Sequence, residues 1–191
     1  MNPADARPDG PSSKTVLLHS CCGPCASACV PRLKEAGRTV TMFFSNSNID
    51  TQAEFERRLA AAQTLAAAEG VELVTDDYRH DDWLRAVADG FENEPEKGAR
   101  CLRCYRYNLA RTARYAAAHG FAAFTTSLTV SPHKPSDKVF AATDDPAFLR
   151  MDFKKRDGFK LSVRRAGELG LYRQPYCGCE FSKRNRKAEG T

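Results

Sequence analysis

The stretch KTVLLHSCCGPC, Lys14 to Cys25, runs from an apolar segment straight into three cysteines within five residues. Lys14 to Ser20 reads as a buried strand, because an unbroken apolar run of this length suits a strand covered on both faces. Gly23 and Pro24 then open a helix-like stretch with Ala26, Val30 and Leu33 on one side, closed by Gly37. Pro31 predicts a kink or a late start for that helix. Arg38 to Phe44 reads as a second strand, so the opening unit is strand, helix, strand.

The same alternation continues outward. Thr51-Gln52-Ala53-Glu54 is a capping box. It starts a helix with Phe55, Leu59 and Ala62 at helical spacing, ending at Gly70. Val71 to Val74 is a short third strand. Trp83, Leu84 and Val87 suggest a helix. Cys104 to His119 is a strongly patterned helix, with Tyr105, Leu109, Ala113 and Ala116 on one face. Phe121 to Ser127 is a fourth strand. Alternating strands and helices predict an α/β fold: a mainly parallel sheet with helices on both faces. Ligands of such sheets bind beyond the carboxyl ends of the strands. The first cysteine cluster, Asn46 with Asn48, and Ser127 to His133 all follow strands and should meet at one cysteine-rich rim. Past Lys138 the pattern weakens, with Pro132, Pro135 and Pro146 interrupting it.

A length of 191 residues suits one domain with tails. The expected division is a disordered polar lead at 1–13, a single domain at 14–182 and a basic tail at 183–191. No apolar run approaches a membrane span, and the lead lacks the apolar core of a signal peptide. The expected location is therefore cytoplasmic. There, eight cysteines argue for metal or redox chemistry over a disulfide framework. The net charge is +5, unevenly spread. Asp76 to Glu96 holds eight acids against two bases, and Arg150 to Lys187 twelve bases against four acids. The basic stretch could follow a phosphate backbone, or be a solvated surface with a frayed tail.

Seven cysteines fall into three groups: Cys21-Cys22 with Cys25, Cys101 with Cys104, and Cys177-Gly178-Cys179. Cys29 stands apart and reads as a small buried hydrophobe. Adjacent cysteines are poor disulfide partners but good ligands for a soft metal. Three readings stay open for Cys21, Cys22, Cys101 and Cys104. They could hold an iron–sulfur cluster, or structural zinc, which takes the same number of thiolates. Alternatively Cys22-Gly23-Pro24-Cys25 could be a redox C-x-x-C at a helix N-terminus. The C-G-C pair would close a strained, labile ring when oxidised, and could equally bind a metal.

Other candidates are His19, a core histidine or a proton donor, and His133 in a rim loop. Asp152 reads as a local capping or salt-bridge group. Tyr172-Arg173-Gln174-Pro175-Tyr176 could stack on a base or pack internally.

LLHSCCGPC, FFSNSNI, AEFERR, RCLRCYRYNLARTA, FTTSLTVSPHK, MDFKK and GLYRQPYCGCEFS occur in that order. From about Val16 to Ser182 the chain resembles the cobalamin-independent epoxyqueuosine reductase family, QueH. The resemblance implies a Rossmann-like, HUP-like sheet carrying a catalytic domain. It implies an oxidoreductase that removes the epoxide oxygen of epoxyqueuosine at the tRNA wobble position, giving queuosine. It implies a [4Fe-4S] cluster on Cys21, Cys22, Cys101 and Cys104, and a redox-active pair at Cys177 and Cys179. Cys25 could join Cys177 and Cys179 around an additional iron. An external electron donor is needed, and His133 or a tyrosine is the expected proton donor. Between Lys138 and Phe148 the chain is shorter than the family pattern. The rival readings are a zinc-stabilised RNA-binding protein without catalysis and an iron–sulfur tRNA sulfurtransferase. The second is weakened because Ser20 to Cys25 lacks the flexible glycines of a phosphate loop.

Overall fold

The computed structural model describes residues 14–183. The lead at 1–13 and the tail beyond residue 183 lie outside the described residues. Four parallel strands form one sheet: β1 (Thr15–His19), β2 (Thr39–Phe44), β3 (Glu72–Thr75) and β4 (Ala123–Thr126), in the order β3-β2-β1-β4. The helices are α1 (Gly23–Glu35), α2 (Gln52–Glu69), α3 (His80–Trp83), α4 (Ala99–Ala118), α5 (Ser136–Phe140) and α6 (Gly158–Glu168). A π-turn at Leu84–Ala88 extends α3, and a 3-10 turn at Ser127–Val130 follows β4.

The two-residue period of β1 divides the core. Val16 and Leu18 join α1, α2 and α6 in one apolar cluster. Leu17 faces the other way, with Phe43, Phe124 and the Leu109–Ala116 face of α4. Helices therefore cover both faces of the sheet, which explains why β1 carries no polar alternation. Leu17 is fully buried, and shortening such a residue to alanine costs about 2–5 kcal/mol.

The path from β1 into α1 is set by close packing. A Cβ at Gly23 would lie 2.6 Å from the Ala61 carbonyl oxygen of α2. Glycine lets α1 start against α2, and this places Cys22 at the N-cap of α1. Helix α1 begins at Gly23, so the late start expected from Pro31 is not seen. The helix runs through the proline, wedged between α2 and α6 with Ser27, Val30 and Leu33 fully buried. Tertiary packing outweighs the lost backbone bond.

Helix α4 starts five residues earlier than its apolar pattern suggests, at Ala99, so Cys101 and Cys104 lie on its first turns and not in a loop. The early start rests on capping contacts from the loop just before it. Glu94 accepts from the Ala99 N–H at 2.9 Å, and the Arg100 guanidinium donates to the carbonyls of Phe91 and Glu94 at 2.8 and 2.7 Å. The shortened Lys138–Phe148 region holds α5 and a single parallel bridge, Phe124 to Phe148, at the β4 edge of the sheet.

Candidate metal and substrate site

Every strand ends at one rim. After β1 come Ser20, Cys21 and Cys22; after β2 come Ser45, Asn46, Ser47 and Asn48; after β4 come Ser127 and the loop to Lys134. They surround a cavity of about 540 Å³. Its wall carries five thiols, Cys21, Cys22, Cys25, Cys104 and Cys177, together with the amides of Asn46, Asn48, Asn108 and Gln174. Cys101 packs with Cys21 against Tyr105 and Leu128, and Cys179 packs with Cys104 against Trp83. The three sequence clusters therefore meet around one cavity. All eight cysteines are free thiols.

The sulfurs of Cys21, Cys22 and Cys25 lie within 4.8 Å of one another, and among the described residues this is the one metal-ligating trio so close. These three thiols could hold a metal. At a Zn–S distance near 2.3 Å, tetrahedral sulfurs sit roughly 3.8 Å apart, so the trio approaches the spacing of a single ion. A cluster core is bulkier and would draw on thiols across the cavity, where Cys101 and Cys104 sit on α4.

Cys22 is placed to ionise first. It accepts from the Cys21 thiol at 4.0 Å and the Cys25 N–H at 3.4 Å, at the start of α1. These donors, led by Cys21, hold it well below the usual thiol range. Sharing its proton with Cys22 pushes Cys21 up to about 12. Cys25 is pushed up by the same two neighbours. Burial raises Cys104 and Cys101, and burial with the Cys177 charge raises Cys179 to about 11. Metal binding would displace these protons. Cys29 lies under the rim, fully buried, and donates to the Cys25 carbonyl at 3.5 Å.

The C-G-C loop is held from below by α2. Arg58, fully buried, pairs with Glu54 at 2.8 Å and donates to the Cys177 carbonyl at 2.9 Å. Gly178 has φ +144, and its carbonyl accepts from the Asp50 N–H at 3.0 Å. Tyr176 donates to Asp50 at 2.7 Å and Tyr172 to Glu54 at 3.1 Å. Both tyrosines of the YRQPY segment thus brace the loop, and Arg173, Gln174, Pro175 and Tyr176 line the cavity.

His133 is exposed at the cavity wall. Its neighbour Lys134, which the sequence reading passed over, also lines the cavity. Burial alone would lower its pKa, but the neighbouring Cys177, Cys21, Tyr105 and Cys25 outweigh this and raise it above the ordinary lysine value. In sequence its only signal is its place beside His133 in Ser131-Pro132-His133-Lys134. Lys154 supports this loop by donating to the Lys134 carbonyl at 2.8 Å and to Ser136 at 2.6 Å. Asp152 caps its own turn, which carries Lys154, by accepting from the Lys154 N–H at 3.1 Å.

His19 is a core histidine. Nε2 donates to the Ser45 carbonyl at 3.1 Å, and Nδ1 accepts from the Thr126 hydroxyl at 2.8 Å. The Thr126 oxygen in turn accepts from the Leu128 N–H, which orients its hydroxyl toward the ring. Burial lowers His19 to about 4.

The family model described as epoxyqueuosine reductase QueH matches residues 16–185. The chain belongs to the QueH family. A Streptococcus pyogenes protein named epoxyqueuosine reductase QueH is 35% identical over 88% of this chain and 70% of its own length. Proteins of the same name from Dehalococcoides mccartyi and Thermotoga maritima are 34% and 33% identical, covering 90% and 91% of this chain and 93% and 92% of theirs. Among solved structures, the NH3-dependent NAD synthetase from Campylobacter jejuni in complex with the nitrate ion has a TM-score of 0.47 at 14% identity. It covers 94% of this chain and 75% of that one. Family membership agrees with the ordered cysteine motifs and with their convergence on one rim. Among the described residues, no helix is long and apolar enough to cross a membrane.

Proposed function

We propose that this QueH protein is an epoxyqueuosine reductase acting on tRNA, with a [4Fe-4S] cluster held by Cys21, Cys22, Cys101 and Cys104. The observation that carries this reading is the meeting of three separate cysteine motifs around a cavity large enough for a modified nucleobase. A zinc module without catalysis would leave the Cys177–Cys179 pair and the amide-lined cavity without a use.

The reaction takes two electrons and two protons, turning an epoxide into an alkene and water. The cluster, when bound, supplies electrons singly from an external donor and an iron that can act as a Lewis acid. The remaining work falls to this chain. Asn46, Asn48, Asn108 and Gln174 offer amide groups to read the edges of an unstacked base. Gln174 Oε1 and Asn108 Oδ1 are buried without partners, so a ligand with hydrogen-bond donors would complete them.

Lys134, on the cavity wall beside His133, would offer its side-chain amine as a hydrogen-bond and proton donor to the leaving oxygen. His133, at the mouth, suits contact with the RNA. Cys177 and Cys179 would act as a redox-active pair or, with Cys25, hold an additional iron. Arg150, Lys155, Arg156 and Arg173 are exposed and would follow the stem phosphates.

Expression in a bacterium lacking its own epoxyqueuosine reductase tests the activity. Restored queuosine in tRNA supports it; accumulation of epoxyqueuosine despite soluble protein counts against it.

A further inference from the structure

Each of the four thiols assigned to the cluster already faces a hydrogen-bond donor. The Ser127 hydroxyl donates to Cys21 Sγ at 3.3 Å. Its direction is fixed, because the same oxygen accepts from the Cys21 N–H at 3.0 Å. Cys22 Sγ accepts from the Cys25 N–H at 3.4 Å, and Cys101 Sγ from the Lys97 N–H at 3.2 Å. Cys104 Sγ accepts from the Asn108 amide at 3.7 Å, whose other bond to Asn48 Oδ1 at 3.2 Å fixes which end is nitrogen.

Trp83 adds to the last of these. Its ring is 1% exposed and packs in the cluster that contacts Cys104. Its indole N–H is buried with no partner at full hydrogen-bond geometry, and the one interaction it makes is a weak one with Cys104. An unsatisfied buried N–H is uncommon. A more highly charged sulfur at Cys104 would strengthen that bond.

We propose that Ser127, Asn108 and Trp83 form a donor shell that sets the reduction potential of the bound cluster. The inference rests on the cluster assignment above. Reduction adds negative charge that the sulfurs share. O–H and N–H donors aimed at those sulfurs stabilise the reduced state and raise the potential. The three side chains act through the ligands and are positioning residues. Two of them touch different ligands on different elements: Ser127 at the end of β4, Trp83 at the end of α3.

The test is a redox titration of the anaerobic, cluster-loaded protein, followed by electron paramagnetic resonance. Ser127→Ala and Trp83→Phe keep the packing volume and remove one donor each. Both are expected to shift the midpoint to lower potential at unchanged iron and sulfide content, and the double variant further. Ser127→Thr keeps the hydroxyl and should stay near wild type. If Ser127→Ala loses iron, Trp83→Phe carries the test through Cys104. Wild-type midpoints in fully loaded Ser127→Ala and Trp83→Phe would overturn the donor shell alone. A wild type without a reducible cluster would overturn the cluster assignment and the shell with it.

Discussion

The buried guanidinium of Arg58 donates to the carbonyl oxygen of Cys177 at 2.9 Å while pairing with Glu54 at 2.8 Å. One side chain of α2 therefore ties the C-G-C loop to the core. Arg58→Leu leaves buried Glu54 with only Arg57 at 3.7 Å and the Tyr172 hydroxyl at 3.1 Å, and should destabilise the fold by about 3 kcal/mol. Urea unfolding gives the loss. Faster reaction of Cys177 and Cys179 with a thiol reagent, measured under native conditions, would show that the loop itself has come free.

Gly178 stands at φ +144, and a Cβ there would meet Asn48 Nδ2 at 3.0 Å and Arg58 at 3.1 Å. Gly178→Ala is expected to cost about 1–3 kcal/mol. Turnover should fall further than iron content, since the distortion moves Cys177 and Cys179 and spares α4. Equal losses of iron and activity would point to a loop that helps hold the cluster.

His19 gives the stability a defined pH dependence. Its folded pKa, about 4, lies below the ordinary value of 6.5 because it is buried neutral. The unfolded chain therefore binds more protons between these values. The contribution is complete above about pH 6.5 and is lost as pH falls toward 4, amounting to about 3 kcal/mol. Urea midpoints of wild type should decline across that window. His19→Gln should be less stable at pH 7 and show a flatter decline.

Lys134 and His133 separate by mutation. Lys134→Met should lower turnover by about 10²-fold or more if it delivers a proton in the reaction, with the circular dichroism and iron content of wild type. His133→Ala should weaken RNA binding with a smaller effect on turnover at saturating substrate. The reverse pattern would give the proton to His133.

Cys101→Ala should lose cluster iron, whereas Cys177→Ala should lose turnover more than iron. Iron and sulfide assays on anaerobically prepared protein make the comparison.

The sheet was legible because each strand and helix announces itself locally. Val16 to Leu18 are apolar on both faces, Thr51 to Glu54 carry a capping box, and Gly37 and Gly70 end their helices at positive φ. The thiols of the site were legible because they fall in short motifs, of which Cys21-Cys22 sits directly after β1. What stayed hidden depends on contacts outside the apolar pattern. Glu94 and Arg100 extend α4 back to enclose Cys101 through the loop just before it. Arg58 reaches a loop 119 positions away. Lys134 gains its character from thiols contributed by two other segments, and Trp83 reads as plain core until its buried N–H is set beside Cys104. Pro31 does not delay the start of α1, because its local effect yields to packing by α2 and α6.

The most direct test is anaerobic incubation of the cluster-loaded protein with tRNA containing epoxyqueuosine and a strong one-electron reductant, followed by mass spectrometry of the nucleosides. The predicted result is a product lighter by one oxygen atom, identical to queuosine, formed in repeated turnovers. Unchanged epoxyqueuosine with protein that is folded, loaded with cluster and reduced would contradict the account.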